Sequence, residues 1–308
     1  MKTENMLQEP SGVLIVAKHA GVTSHDIVNK IRRLYGTRRV GHTGTLDPMA
    51  TGVLVVLIGR AAKASEYLAT DSKRYRATLR LGITTDTEDT TGNILTVSEI
   101  LPSFSSLEAI LPQFRGKIQQ IPPMYSALKV NGQKLVDLAR KGQTVERQAR
   151  EIEVFSLTAT PTERPDEFVL EVGCSGGTYI RTLCADIGAA LGCGGAMASL
   201  ERTETGGFPL SAAHTVEELE VMDTQARIRL LIPTEELFRN CPAISLPTFY
   251  EKLCRSGCEI YLAKIKVDFP VGTRLRIYDA NGTFFALGEV REYEDGLAVK
   301  AIKTFSLE

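Results

Sequence analysis

Residues 41–56 read GHTGTLDPMATGVLVV and join one acid, Asp47, to an unbroken apolar run. Pro48 fixes its own φ and biases Asp47 toward extended geometry. Gly41, Gly44 and Gly52 allow another backbone or a ligand to come close. The run from 53 to 58 reads as a buried strand. A carboxylate in a tight loop, anchored by a core strand, is held rigidly at the edge of a cleft, as a nucleophile or a base requires. The same loop chemistry also suits an acid that only caps backbone N–H groups.

Outward from this stretch, helices and strands mix without regular alternation. Thr23 or Ser24 caps a helix whose apolar positions Ile27, Ile31 and Leu34 recur at helical spacing, with Gly36 ending it. Residues 134–141 and 178–191 read as further helices, closed by Gly142 and Gly192. Ser105-Ser106-Leu107-Glu108 and Thr215-Val216-Glu217-Glu218 are capping-box patterns. Residues 75–81, 151–157 and 167–172 read as strands. The expected class is α+β, with helices packed on a mixed or largely antiparallel sheet. Near residue 240 the texture changes: NCPAISLPT carries two prolines, and short apolar runs follow, separated by glycines. Asn281-Gly282 is the strongest hairpin signal in the chain. The expected division is a flexible leader at 1–10, a main domain at 11–240 and a small β-rich domain at 241–308.

The composition narrows the class. A hydrophobic fraction of 43% over 308 residues supports a real core. No run approaches the roughly 20 apolar residues of a membrane span, and the N-terminus has no secretory apolar region. Six cysteines without a paired framework suggest a reducing cytoplasm. The four histidines make no metal-spaced pair, and Walker A and GxGxxG strings are missing, so no cofactor or metal is expected. The acidic run Asp86, Glu88, Asp89 does not fit calcium-loop spacing and reads as a solvated turn. The net charge of −1 conceals an asymmetry. Residues 1–150 hold 21 Lys and Arg against 13 Asp and Glu, while residues 151–308 hold 15 against 24. A basic first half suits a phosphate backbone, and equally suits pairing with the acidic half.

The string GHTGTLDPMATG resembles the catalytic motif of the tRNA pseudouridine-55 synthases, the TruB family, in which GHTG-x-LDP-x-ATG carries the nucleophilic aspartate. SKRYRATLRLG (72–82), TDTEDTTG (85–92), IPPMYSALK (121–129) and GTYIRTL (177–183) follow in the family's order. The resemblance covers roughly residues 11–240. It implies a pseudouridine-synthase-type sheet flanked by helices and, at the C-terminus, a PUA-like RNA-binding domain. It also implies isomerisation of uridine 55 in the tRNA T loop after base flipping, a reaction that needs one positioned carboxylate and no redox group.

On that resemblance Asp47 is the catalytic acid, and Arg181 is the arginine that pairs with it and fixes its orientation. Tyr75 is the tyrosine that stacks on the target base, and His42 is the histidine beside the flipped nucleotides. Lys73 and Tyr179 shape the pocket, and Leu200 is an apolar position near the base. Lys18 belongs to Lys18-His19-Ala20-Gly21, with His19 where the family string KP-x-G has proline. Judged by residue type alone, Tyr75 and Leu200 are core, Arg181 is a surface cation and His42 is a structural histidine. The implied partner is the tRNA T stem-loop, with no membrane, no obligatory protein partner and a monomeric enzyme. Two alternatives share the scaffold: a noncatalytic tRNA-binding or folding module, and a guide-RNA-dependent relative.

Overall fold

Thr51–Ile58 is the strand expected from the apolar run, and both of its faces are covered. Leu54, Val56 and Ile58 pack with Leu14, Val16, Ile27 and Ile31, while Val53, Val55 and Leu57 pack with Val13, Ile15, Phe238 and Phe305. Burial on both sides explains why the sequence runs apolar here instead of alternating. The computed structural model describes residues 9–68, 72–130 and 132–306. Most of the expected leader, residues 1–8, lies outside them.

The main sheet is built from β1 (Gly12–Lys18), β2 (Val40–His42), β3 (Thr51–Ile58) and β4 (Lys73–Leu81). A small hairpin of β5 (Ile83–Thr85) and β6 (Ile94–Val97) follows, then β7 (Gly116–Gln120) and a second hairpin of β8 (Lys129–Val130) and β9 (Gln133–Lys134). The sheet is completed by β10 (Arg150–Pro161), β11 (Glu167–Cys174), β12 (Gly195–Thr205) and β13 (Phe208–Pro209). Its order is β1-β3-β12-β4-β11-β10-β7, with β2 on β3 and β13 on β12. β3 and β12 run parallel and the other neighbours antiparallel, so the sheet is mixed. A second sheet has the order β14 (Ala243–Ser245), β16 (Arg274–Tyr278), β17 (Phe284–Tyr293), β18 (Gly296–Thr304), β15 (Ile260–Tyr261). The fold is therefore α+β with a β-rich C-terminal part, as expected. The two sheets share a core, since Leu287 and Phe305 pack in the cluster that holds Val13 and Val53.

Local sequence explains most element ends. Thr23 caps the helix Ser24–Tyr35 in a capping box with Asp26, and Gly36 closes it at φ 63°. Thr215 and Glu218 form the second expected box. The expected box at Ser105–Glu108 is displaced. The cap is Ser103, whose hydroxyl accepts from the Ser106 amide, and the helix Phe104–Ile110 begins one residue later. The serine run offered several equivalent caps, and packing of Leu107 into the core selects the register. At Asn281-Gly282 the hairpin forms between β16 and β17, with the Asp279 carboxylate accepting from the Asn281 and Thr283 amides.

Candidate active site

The loop from Thr43 to Ala50 leaves β2 and enters β3, and each part of it is tied down. Leu46 is buried and exchanges two hydrogen bonds with the Ser24 hydroxyl, 2.8 Å from its amide and 3.1 Å to its carbonyl. The Ala50 amide donates to the Asp47 carbonyl at 3.0 Å, a turn with proline at its second position. Lys18 is 1% exposed, and its ammonium donates to the carbonyls of Ala50 at 2.6 Å, His19 at 3.0 Å and Pro48 at 3.3 Å. Histidine in place of proline at position 19 thus leaves Lys18 seated under the loop. Burial lowers the Lys18 pKa to about 8, with the Asp47 charge pulling it up and Arg202 pushing it further down.

Asp47 is half-exposed at the mouth of a cavity of about 480 Å³, lined also by Lys73, Tyr75, Tyr125, Tyr179, Arg181, Leu200 and Arg202. Arg181 grips it with two nitrogens, Nε to Oδ2 at 2.9 Å and Nη2 to Oδ1 at 3.3 Å. This two-pronged geometry fixes the carboxylate plane. Arg181 is itself buried and held, donating to the Tyr125 carbonyl at 2.8 Å and the Thr87 carbonyl at 3.1 Å, with Asp89 4.0 Å away. It lies in the first turn of the helix Ile180–Ala190, whose cap residue Tyr179 has no side-chain cap bond. The buried Gln120 amide serves there, accepting from the Tyr179 amide at 2.8 Å and donating to its carbonyl at 3.0 Å.

Tyr75 comes from β4, where Lys73, Tyr75, Ala77, Leu79 and Leu81 point to one face. It is 6% exposed and packs in the core while also lining the cavity. Burial pushes its phenol up, and the positive charge of nearby Arg202 pulls the other way. Leu200 likewise is both core and wall. Six of the eight residues singled out in the sequence therefore share one cavity, and Lys18 lies beneath it. His42 is not among the residues lining that cavity. It lies on β2 opposite Val56 of β3, and its Nδ1 is buried with no hydrogen-bond partner among the described residues. Burial, together with the nearby Arg202 and His25, lowers its pKa.

The acidic run is not a solvated turn. Asp89 is buried, and one carboxylate oxygen accepts from the Thr91 amide, the Thr91 hydroxyl and the Thr87 hydroxyl. Glu88 takes φ 63° and accepts from the Thr182 hydroxyl beside Arg181. Burial raises its pKa, against the pull of that bond and of Arg181. Its neighbours come from a helix nearly 100 residues on, which local spacing does not disclose. Arg202 carries no motif of its own in the sequence and drew no expectation, yet this guanidinium is 1% exposed. Among the described residues no cluster of His, Cys, Asp and Glu is arranged to hold a metal ion. No described helix is long and apolar enough to cross a membrane.

The sequence matches the family described as TruB family pseudouridylate synthase, N-terminal domain, over residues 32–180. It matches the tRNA pseudouridylate synthase B C-terminal domain over residues 181–239. Among its relatives, tRNA pseudouridine synthase B of Francisella tularensis subsp. novicida is 42% identical over 91% of each chain. The protein of the same name from Thiobacillus denitrificans is 40% identical over 92% of this chain and 93% of its own. Among solved structures, a Cbf5–Nop10–Gar1 complex aligns with TM-score 0.69 and 23% identity over 96% of this chain and 85% of that one, a likeness of fold. With two family domains and relatives of 40–42% identity along most of its length, the chain belongs to the TruB family of pseudouridylate synthases.

Proposed function

We propose that this pseudouridine synthase isomerises uridine 55 in the T loop of tRNA, acting on bare tRNA as a cytoplasmic monomer without a cofactor. The relatives' name, tRNA pseudouridine synthase B, supports tRNA as the substrate. The observation that carries the reading is the Asp47 carboxylate, gripped by buried Arg181 at the mouth of a cavity walled by Tyr75 and Leu200. The reaction moves no atoms in or out. The C1′–N1 bond breaks, the ring turns, C5 bonds to C1′, C5 gives up its proton and N1 ends protonated. Asp47 serves as nucleophile or base, attacking either the sugar or the ring. Tyr75 stacks on the flipped uracil, a contact of about 1–3 kcal/mol, and its hydroxyl moves a proton during rejoining. Lys73 and Tyr179 shape the pocket, and His42 meets nucleotides outside it. The division into 11–240 and 241–308 belongs to the same reading, with the C-terminal part as a PUA-like RNA-binding domain.

The test is single turnover of a bare tRNA transcript by wild type and by Asp47→Asn, which keeps shape and removes charge. Loss of turnover with tRNA affinity little changed is expected, since phosphate contacts supply most of the binding. Asp47→Asn turnover within roughly tenfold of wild type, about 1.4 kcal/mol in barrier, removes Asp47 from the chemistry. Binding by the wild type without turnover points instead to a noncatalytic module, or to a relative that needs a guide RNA.

A further inference from the structure

Arg202 is among the largest fully buried side chains in the molecule, and it sits where the two ends of the catalytic loop meet. Its Nη2 donates to the Gly44 carbonyl at 3.0 Å, and its Nε donates to the Val53 carbonyl at 2.8 Å. The Gly44 carbonyl lies at the start of the loop that carries Asp47, and the Val53 carbonyl lies in β3 just past its end. Its backbone holds the same place: Arg202 pairs with Gly52 where β12 and β3 run parallel. Gly52 has φ 104°, and a Cβ there would overlap the Arg202 carbonyl, so the strands meet backbone to backbone. Tyr75 is the register partner of Arg202 on the neighbouring strand β4, and both side chains line the cavity. Among the described residues this cation donates to carbonyl oxygens and makes no salt bridge to a carboxylate. A buried charge of this kind is a poor source of stability, and an apolar side chain of similar volume often serves as well or better. What a guanidinium adds is a rigid planar fork that fixes several oxygens at once.

We propose that Arg202 is a positioning residue for the isomerisation: it clasps both ends of the Asp47 loop and flanks Tyr75, so that carboxylate and phenol keep one relative geometry. The proposal rests on the reading of Asp47 and Tyr75 given above. Arg202 acts through these two residues. Lysine at 202 keeps the charge but offers a point donor that does not span the Gly44 and Val53 carbonyls together, and methionine keeps the volume alone.

The experiment measures melting temperature, tRNA affinity and single-turnover rate for Arg202→Lys and Arg202→Met, each alone and combined with Tyr75→Phe. We expect Arg202→Lys to fold, to bind tRNA within about threefold of wild type and to turn over at least tenfold more slowly. In the Tyr75→Phe background the same change costs at least about threefold less than in wild type, because one of the two groups that Arg202 positions is already gone while the loop contacts remain. Arg202→Met is expected to be at least as slow. Equal losses in both backgrounds, a rate within threefold of wild type, or losses that follow affinity or melting temperature overturn the proposal. So does a failure of both variants to fold, which makes Arg202 a residue of the scaffold alone. Wild-type inactivity on tRNA, or an active Asp47→Asn, overturns the functional reading instead, and these controls are scored separately.

Discussion

Lys18 shows how a single buried charge links the loop to pH. Its pKa falls from the ordinary 10.5 to about 8 because burial penalises the ammonium more than Asp47 stabilises it. Between those values the unfolded chain binds more protons than the folded one, so stability rises with pH, by at most about 1.4 kcal/mol per unit. Below pH 8 both states are protonated and the contribution is flat. The stability of wild type relative to Lys18→Met should therefore climb from about pH 8 toward pH 10 and stay level below. Urea midpoints at several pH values measure it, and a difference that is flat across the range shows that Lys18 titrates alike in both states. At this scale the sequence disclosed much of the site. Asp47 and Arg181 were legible because each stands in a dense local string, and their 2.9 Å contact joins two of those strings. Arg202, Asp89 and Glu88 were not legible. Arg202 and Glu88 take their character from Val53 and Thr182, 149 and 94 residues away, while Asp89 is held by Thr87 and Thr91 beside it and buried against Arg181, and the burial is what local spacing does not disclose.

Elements set the site by where their backbones cross. Gly52 is one such place, since only glycine combines φ 104° with the close approach of the Arg202 backbone. Gly52→Ala is expected to cost about 2–4 kcal/mol of stability, the sum of an unfavourable left-handed backbone and overpacking. It should also slow turnover by displacing the Asp47 loop. Chemical denaturation reads the first effect, and a loss under about 1 kcal/mol would mean that β3 and β12 separate easily. Gly41 gives no such expectation, for a Cβ there meets nothing within 4 Å. The sequence marked both glycines alike, because permissive conformation is visible in the residue while the approaching backbone is not. Helix ends followed the opposite rule. Thr23, Gly36 and Thr215 act through bonds within four residues, so their chemistry was readable in place. The Ser103 cap was misplaced by two residues because neighbouring serines compete equally until Leu107 finds the core.

Across the whole molecule, the basic first half is only partly free for a partner. On β4, Arg74 pairs with Glu204, Arg76 with Glu171 and Glu201, and Arg80 with Asp166, all acids of the second half. Much of the asymmetry in the sequence is thus spent across the sheet. Arg32 is also committed, donating to the Val40 carbonyl and to Asn29. Arg60 and Lys63 donate to the carbonyls of Phe305 and Thr304 and so help to dock the C-terminal strand. Arg33, Arg38 and Arg39 remain exposed, and Arg38 and Arg39 line a basic cleft of about 600 Å³ with Arg60 and Lys63. Arg39 also bonds Glu9, but both partners are largely exposed and such a pair yields readily to a competing phosphate. Reversing Arg33, Arg38 and Arg39 to glutamate should therefore weaken tRNA binding while the fold stays intact. Each phosphate that is no longer neutralised lowers the log–log salt slope by roughly 0.7–0.9, so three of them together reduce it by roughly 2–3. Arg291→Glu, which removes a charge already paired with Glu289 on β17, supplies the control. Binding titrations across a salt series decide the matter: an unchanged slope in the triple variant would place the RNA on another face, whereas a smaller slope with an unshifted melting temperature places it along the rim of this cleft.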